Sequence, residues 1–230
     1  MSRVLITGAN RGIGLEFARS FADQGWHVHA CCRNPERAEG LKEIAEGTVG
    51  VVTLHKLDVT DGLRVASLAR ALADDHLDIL INNAGVSGPR KPFGETDYDE
   101  WLPVFAVNTL APMRMAERFA EHLERGERKL IVNISSRMGS IGDNAGGGSY
   151  IYRSSKAALN AVVKSMAIDL APRDISAVAF HPGWVRTDMG GPNGQITAVE
   201  SVKGMRTVIE KIGLGDSGKF FNYDGTIIPW

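Results

Sequence analysis

Short apolar runs alternate along this chain with stretches of helical period, and that alternation leaves few ways to fold. The runs cover residues 4–7, 27–32, 50–57, 79–82, 129–135, 176–181 and 219–222; helical patterns lie near 13–24, 36–46, 62–74, 98–125, 151–170 and 198–211. Strands that alternate with helices pair in parallel, because each crossover helix returns the chain to the starting end of the sheet and packs on one of its faces. Right-handed crossovers then predict an α/β architecture: one doubly wound, seven-stranded parallel sheet with helices on both faces. The 230 residues, 43% of them hydrophobic, suffice for one sizeable core. No linker, repeat or second apolar core divides them, so residues 1–230 read as a single domain, and Gly146-Gly147-Gly148 is a local flexible stretch rather than a boundary.

Charge and hydropathy exclude several classes. Formal net charge is −1 with no block of lysine and arginine, which argues against a nucleic-acid surface. No apolar run approaches the roughly 20 residues that a membrane-spanning helix needs. Met1-Ser2-Arg3 is too short for a signal peptide before the first strand, so a cytoplasmic protein is expected. Cys31 and Cys32 are adjacent. Neighbouring strand side chains point to opposite faces, so an ordinary disulfide is geometrically poor and two small core residues are expected. No His/Cys/Asp/Glu cluster has metal-ligand spacing, so no metal is expected.

Several element boundaries carry their own signals. Asn34-Pro35 places an N-cap before a proline at the first helical position, Thr197 and Glu200 have capping-box spacing, and Gly25 can close the first helix in a left-handed conformation.

The first strand runs into Thr7-Gly8-Ala9-Asn10-Arg11-Gly12-Ile13-Gly14 before a helix. Such a turn brings backbone N–H groups and a helix N-terminus to a pyrophosphate. Its G-x-x-x-G-x-G spacing departs from the standard G-x-G-x-x-G, and alone it also suits a merely tight turn. The second strand ends near Cys32, where folds that prefer NAD place an acid for the ribose 2′-hydroxyl. Here stand Arg33 and Asn34. A guanidinium cannot accept from a hydroxyl but pairs bidentately with a 2′-phosphate, so NADP(H) is expected over NAD, with Arg11 a second cation in reach.

Tyr152 and Lys156 stand at i and i+4, on one helix face. A free phenol, with pKa about 10, is a poor acid–base group at neutral pH, and an ammonium beside it is expected to lower that value. Tyr150 has Ser154 in the corresponding place. Ser135-Ser136 follows a strand at the ligand-binding edge of the sheet, where a hydroxyl can meet a substrate carbonyl or simply turn the chain. Pro112, four residues after Asn108 in a helical stretch, has no N–H for the Asn108 carbonyl. A kink is expected there, with a water linking that carbonyl towards Lys156. His181 reads as a structural histidine. Trp184 suits either the pocket lining or packing at the sheet end.

Together these residues resemble the short-chain dehydrogenase/reductase family over essentially the whole chain. The motifs are Thr7-Gly8-x-x-x-Gly12-Ile13-Gly14, Leu57-Asp58-Val59, Asn82-Asn83-Ala84-Gly85, Asn108, Ile134-Ser135-Ser136, Tyr152-x-x-x-Lys156 and His181-Pro182-Gly183-Trp184-Val185-Arg186-Thr187. Within that family the chain looks closest to the carbonyl reductases grouped with C-factor signalling proteins. The resemblance implies a Rossmann fold that binds NADP(H), with Asn108, Ser136, Tyr152 and Lys156 as catalytic tetrad. It implies Asp58 and Val59 at the adenine, and Asn82, Ala84 and Gly85 on the adenine-ribose side. Pro182, Gly183, Val185 and Thr187 would lie at the nicotinamide, and Lys156 would also hold its ribose. Hydride from NADPH would reduce a small-molecule carbonyl, with Tyr152 the general acid.

The 15 residues between Ser136 and Tyr152 are a few more than is usual in the family, the excess falling in 142–149. Substrate choice is assigned to the loops 86–96, 137–151 and 190–197, the last short enough for a fairly open site. Helices corresponding to 98–125 and 151–170 often form dimer interfaces in the family, which leaves a homodimer or homotetramer open. An NADP(H)-binding signalling protein with little turnover is the alternative that the C-factor likeness permits.

Overall fold

The computed structural model describes residues 1–48 and 51–230. Its strands are β1 (Arg3–Thr7), β2 (His27–Cys32), β3 (Val52–Lys56), β4 (Ile79–Asn82), β5 (Leu130–Ile134), β6 (Ser176–His181) and β7 (Phe220–Asn222). All pair in parallel, in the order β3-β2-β1-β4-β5-β6-β7. The helices are α1 (Gly12–Ala22), α2 (Glu39–Gly47), α3 (Gly62–Ala71), α4 (Trp101–Phe105), α5 (Ala111–Glu124), α6 (Tyr150–Asp169) and α7 (Ala198–Ile209). The doubly wound sheet is the one expected. Strands β2, β4 and β6 keep their expected bounds, β1 begins one residue earlier than expected, at Arg3, and β3, β5 and β7 are shorter than expected; Gly50, placed in the third run, lies outside the described residues.

The sheet is apolar on both faces because helices cover both. Val4 and Ile6 of β1 pack in one layer with Phe17 of α1, Leu41 of α2 and Met205 of α7. Leu5, pointing the other way, packs with Val65 of α3, Phe119 of α5 and Leu159 of α6. The cysteines obey the same alternation: Cys32 joins the first layer, Cys31 the second, and both are free thiols. No described helix is long and apolar enough to cross a membrane.

Two boundary signals act as expected. Gly25 takes φ +76° after α1, its N–H donating to the Ala22 carbonyl while that of Trp26 donates to Phe21. Thr197 and Glu200 form the capping box, with the Thr197 hydroxyl accepting from Glu200 N–H at 3.1 Å and the Glu200 carboxylate accepting from Thr197 N–H at 2.7 Å.

Asn34 does not cap. Its backbone, at φ −132° and ψ 75°, leaves the side chain without a capping bond, Pro35–Arg37 forms a lone 3-10 turn, and α2 starts only at Glu39. The helix expected over 98–125 is broken as Pro112 requires. Between α4 and α5 the chain widens into a π turn, Ala106–Leu110, in which Ala111 N–H reaches the Ala106 carbonyl.

Strand order reverses between β1 and β4, so the loops after these two strands face each other at the C-terminal edge of the sheet. Doubly wound folds bind ligands in that crevice.

Candidate active site

Thr7, at the end of β1, reaches across to β4. Its buried hydroxyl accepts from the N–H groups of Asn83 and Ala84 at 3.0 and 3.1 Å. Asn83 completes the tie by donating its side-chain amide to the carbonyls of Thr7 and Gly8 at 2.9 and 3.1 Å. Here the backbone is too close for side chains. A Cβ on Gly8, which has φ +65°, would lie 2.9 Å from Ala84 Cα, and one on Gly14 would lie 2.2 Å from the Gly8 carbonyl oxygen. Arg11 is extended ahead of α1, which has no side-chain cap and no acid in its first turn. The first-turn N–H groups are thereby left for an anion at the positive end of the helix, which fits a pyrophosphate. Asn10 is exposed beside them, Ile13 packs on the core, and a Cβ on Gly12 would meet Thr187 Cγ2 at 3.2 Å.

Arg33 and Asn34 lie exposed at the end of β2. Asp58 follows β3 and accepts from the N–H and hydroxyl of Thr60 at 2.9 and 2.7 Å; those bonds, and less strongly the charge of Arg33, hold its carboxyl below the usual range. Val59 is buried, and Arg114 of α5 donates to the carbonyls of Val59 and Thr60 at 3.3 and 3.0 Å. Arg11 is ion-paired with Asp188, beyond β6. Among the described residues no carboxylate lies within ion-pair distance of Arg33.

The two serines after β5 separate by strand alternation. Ser135 is buried and donates to Asn160 Oδ1 at 2.6 Å. Ser136 caps a 3-10 turn, Arg137–Gly139, accepting from Met138 N–H at 3.2 Å, and its hydroxyl lies near enough to the Tyr152 phenol to favour the ionised form of that phenol. Lys156, 4% exposed, donates from Nζ to the Ile134 carbonyl at 2.8 Å.

The expected electrostatics need correction. Burial raises the Tyr152 phenol, with the nearby Ser136 hydroxyl and the Arg90 charge only partly offsetting it. The ammonium of Lys156 stands 6.0 Å from the phenol ring centroid, turned to Ile134, and is itself pulled down to about 8 by burial. Desolvation therefore outweighs the anticipated push of the cation on the phenol.

Asn108 is fully buried. Its side chain accepts from Val86 N–H at 2.9 Å and donates to the Val86 carbonyl at 2.8 Å and to Ser155 Oγ at 3.0 Å. Ser155 in turn donates to the Tyr152 carbonyl at 2.9 Å, so the π turn is bolted to the first turns of α6. A Cβ on Gly85 would lie 3.3 Å from Asn108 Oδ1 and 3.6 Å from Lys156 Nζ, which places all three around one spot. Half-buried Ala84 contributes backbone to the Thr7 tie. Asn82 braces the sheet beneath, donating to Asn133 at 3.0 Å, while Asn133 donates to the Val178 carbonyl at 3.2 Å.

Past β6, the Pro182 carbonyl accepts from Ser201 at 2.5 Å, Gly183 takes φ +85°, buried Val185 bridges to Ile196, and Thr187 Oγ1 accepts from Gly190 N–H at 3.2 Å. Trp184 is half exposed and donates to the Gly190 carbonyl at 2.8 Å, so it closes the 190–197 loop rather than packing in the core. Burial, aided by the Arg137 charge, pulls His181 down to about 4 and keeps it neutral. Thr7, Asn83, Ser155, Asn160 and Arg114 support the site without having been assigned a role from sequence. A polar side chain at the end of an apolar strand was the available signal for Thr7; the others depend on long-range contacts.

The model of the short chain dehydrogenase family matches residues 2–197. The chain belongs to this family. It is 46% identical to the C-signal protein of Myxococcus xanthus over 154 residues, 67% of this chain and 93% of that one. Its structure superposes on the carbonyl reductase Sniffer of D. melanogaster with a TM-score of 0.94 and 33% identity, covering 100% of both chains. The NADPH-bound carbonyl reductase from chicken fatty liver matches with a TM-score of 0.93 and 34% identity, over 100% of this chain and 99% of that one. Carbonyl reductases and a C-signal protein are thus both among its relatives.

Proposed function

We propose that the chain is an NADPH-dependent oxidoreductase, reducing a ketone, aldehyde or quinone to the alcohol, with residues 1–230 as one cofactor- and substrate-binding domain. One observation carries this function: the phenol of Tyr152, the hydroxyl of Ser136 and the ammonium of Lys156 converge beyond the end of β5. The glycine turn opens at the same edge of the sheet. Gly8, Asn10, Arg11, Gly12, Ile13 and Gly14 would line the pyrophosphate, and Arg33 with Asn34 the 2′-phosphate. Asp58 and Val59 would meet the adenine, Asn82, Ala84 and Gly85 its ribose side, and Pro182, Gly183, Val185 and Thr187 the nicotinamide. The NADPH bound to the chicken reductase supports this choice of cofactor.

Bound NADPH supplies hydride from nicotinamide C4 to the carbonyl carbon. Tyr152 gives its proton to the oxygen as negative charge develops there. Its raised pKa keeps the phenol protonated for that step. Ser136 donates a hydrogen bond to the same oxygen. Lys156 spends one of its three donors on Ile134. The remaining donors suit the nicotinamide ribose, and the charge favours the phenolate left behind. The Asn108 carbonyl, freed by Pro112, would hold the water that returns a proton towards Lys156.

NADPH oxidation across a panel of ketones, aldehydes and quinones tests this function. Tyr152→Phe is expected to lower kcat by roughly 10²–10⁴-fold while retaining NADPH binding; undiminished turnover in that variant would overturn the assignment. The C-signal likeness favours a second reading, an NADP(H)-binding signalling protein. Tight NADPH binding with no turnover on any compound, and a cellular phenotype preserved in Tyr152→Phe, is its signature.

A further inference from the structure

The far end of the chain returns to the turn that begins at Ser136. After β7, Gly225 at φ +91° turns the chain back, with Asp224 accepting from the N–H and hydroxyl of Thr226 at 2.9 and 2.7 Å. The returning segment runs antiparallel to β7: Ile227 bridges to Phe221, and the N–H of buried Ile228 donates to the Phe220 carbonyl at 2.8 Å. The Trp230 indole stacks on Phe220, with ring centroids 5.6 Å apart and planes at 17°.

This segment ends against Ser140-Ile141-Gly142. Ser140, 1% exposed, donates to the Pro229 carbonyl at 2.6 Å, with the Trp230 carbonyl at 3.1 Å, and accepts from Asp143 N–H at 3.1 Å. The N–H groups of Ile141 and Gly142 donate to the Trp230 carbonyl at 2.6 and 3.2 Å. Ser140 closes the turn that Ser136 opens, its N–H bonded to the Arg137 carbonyl at 3.0 Å. The inner side of that turn rests on α6, where Asn160 donates to the Gly139 carbonyl at 3.2 Å and a Cβ on Gly139 would strike the Lys156 backbone at 2.7 Å.

We propose that residues 226–230 are a positioning strap: through Ser140 they fix the Ser136 turn against α6 and so set the Ser136 hydroxyl against Tyr152. Ser140 and Trp230 are positioning residues in this scheme, which rests on the roles given above to Ser136 and Tyr152.

Ser140→Ala and Trp230→Ala test it, with Trp230→Phe as the variant that keeps the stack. Loosening the turn is expected to lower kcat by roughly tenfold to a hundredfold, leave KM for NADPH unchanged, and be rescued in Trp230→Phe. In a Ser136→Ala background, Ser140→Ala should cost no further kcat, because its effect passes through that hydroxyl. Additive losses in the double variant, or a lowered Tm with kcat intact, overturn the strap. An ultraviolet difference titration against Tyr152→Phe needs no substrate. Ser140→Ala should raise the Tyr152 ionisation, since the nearby Ser136 hydroxyl favours the phenolate; an unmoved titration overturns the proposal. Absence of carbonyl turnover in the wild type would sink the reductase reading alone, and the titration would still decide the strap.

Discussion

Burial pushes the two groups of the Tyr152–Lys156 pair in opposite directions, the phenol up and the ammonium down to about 8. Both shifts favour the uncharged forms, so the phenol stays protonated beside a cation that is easily lost. Lys156 is charged below about 8 and neutral above it. We therefore expect kcat/KM, which reports groups of the free enzyme, to fall as pH rises through that value; a profile that stays flat well into the alkaline range would show that the charge is not needed. Arg33, exposed and without an ion-pair partner among the described residues, carries the other residue-scale expectation. Arg33→Ala should weaken NADPH by roughly tenfold to a hundredfold, the loss of about 1.5–3 kcal/mol in charged hydrogen bonds, and leave NADH unaffected. Equal titrations of both cofactors in wild type and variant would reject it. The i, i+4 spacing made the Tyr152–Lys156 pair legible because helical geometry puts such residues on one face. Spacing did not separate Ser136 from Ser135; what separates them is Asn160, which occupies Ser135 from a helix 25 residues away. Nor did it show that Arg11 would be tied to Asp188.

The β1–α1 turn is the element on which the cofactor reading leans hardest, and its tolerance is narrow. A Cβ on Gly14 would sit 2.2 Å from the Gly8 carbonyl oxygen, a contact that only backbone movement can relieve. Gly14→Ala should destabilise the fold by about 1–3 kcal/mol and weaken NADPH binding, because the helix end shifts away from the anion it would hold. Gly47→Ala in α2, with no described atom within 4 Å of the Cβ it would gain, serves as the control and should leave NADPH affinity unchanged. Thermal unfolding and cofactor titration of the two variants check this; equal behaviour would mean the turn has slack that the geometry does not show. Where a boundary was set by local chemistry, the sequence carried it: Gly25 closes α1 and the Thr197–Glu200 box opens α7. Where tertiary packing intervened, it did not. Asn34 has cap chemistry but not cap geometry, and Pro112 foretold a break without the π turn that Asn108 and Ser155 then pin to α6.

At the scale of the whole molecule the alternation of strands and helices foretold the sheet, because burial on both faces leaves no other use for such runs. It did not foretell which polar side chains the sheet would gather. His27, His29 and His55 meet at the β2–β3 edge, with His29 Nδ1 3.0 Å from His55 Nε2 and the His27 and His29 rings 4.4 Å apart. Arg3 of β1, Asp75 and His76 before β4, buried Asp78 at its foot and His122 of α5 surround them. Burial, reinforced by the charges of the neighbouring histidines and Arg3, pulls His29 down to about 3, and burial lowers His27, His55 and His122 as well. Above about pH 6.5 these groups are neutral in both folded and unfolded chains. As pH falls, the unfolded chain takes up protons that the folded sheet refuses, so stability is lost progressively from about 6.5 downwards, at up to about 1.4 kcal/mol per pH unit for buried His29 and by less for the more exposed His27 and for His122. Between about pH 6.5 and pH 5 most carboxylates are still ionised, so the loss in that window belongs to the histidines. Urea unfolding at about pH 7.5 and about pH 5 should show a drop on the order of a few kcal/mol. His29→Gln, whatever its effect near neutrality, should flatten the dependence. An identical slope in that variant would move the acid sensitivity away from the β2–β3 edge.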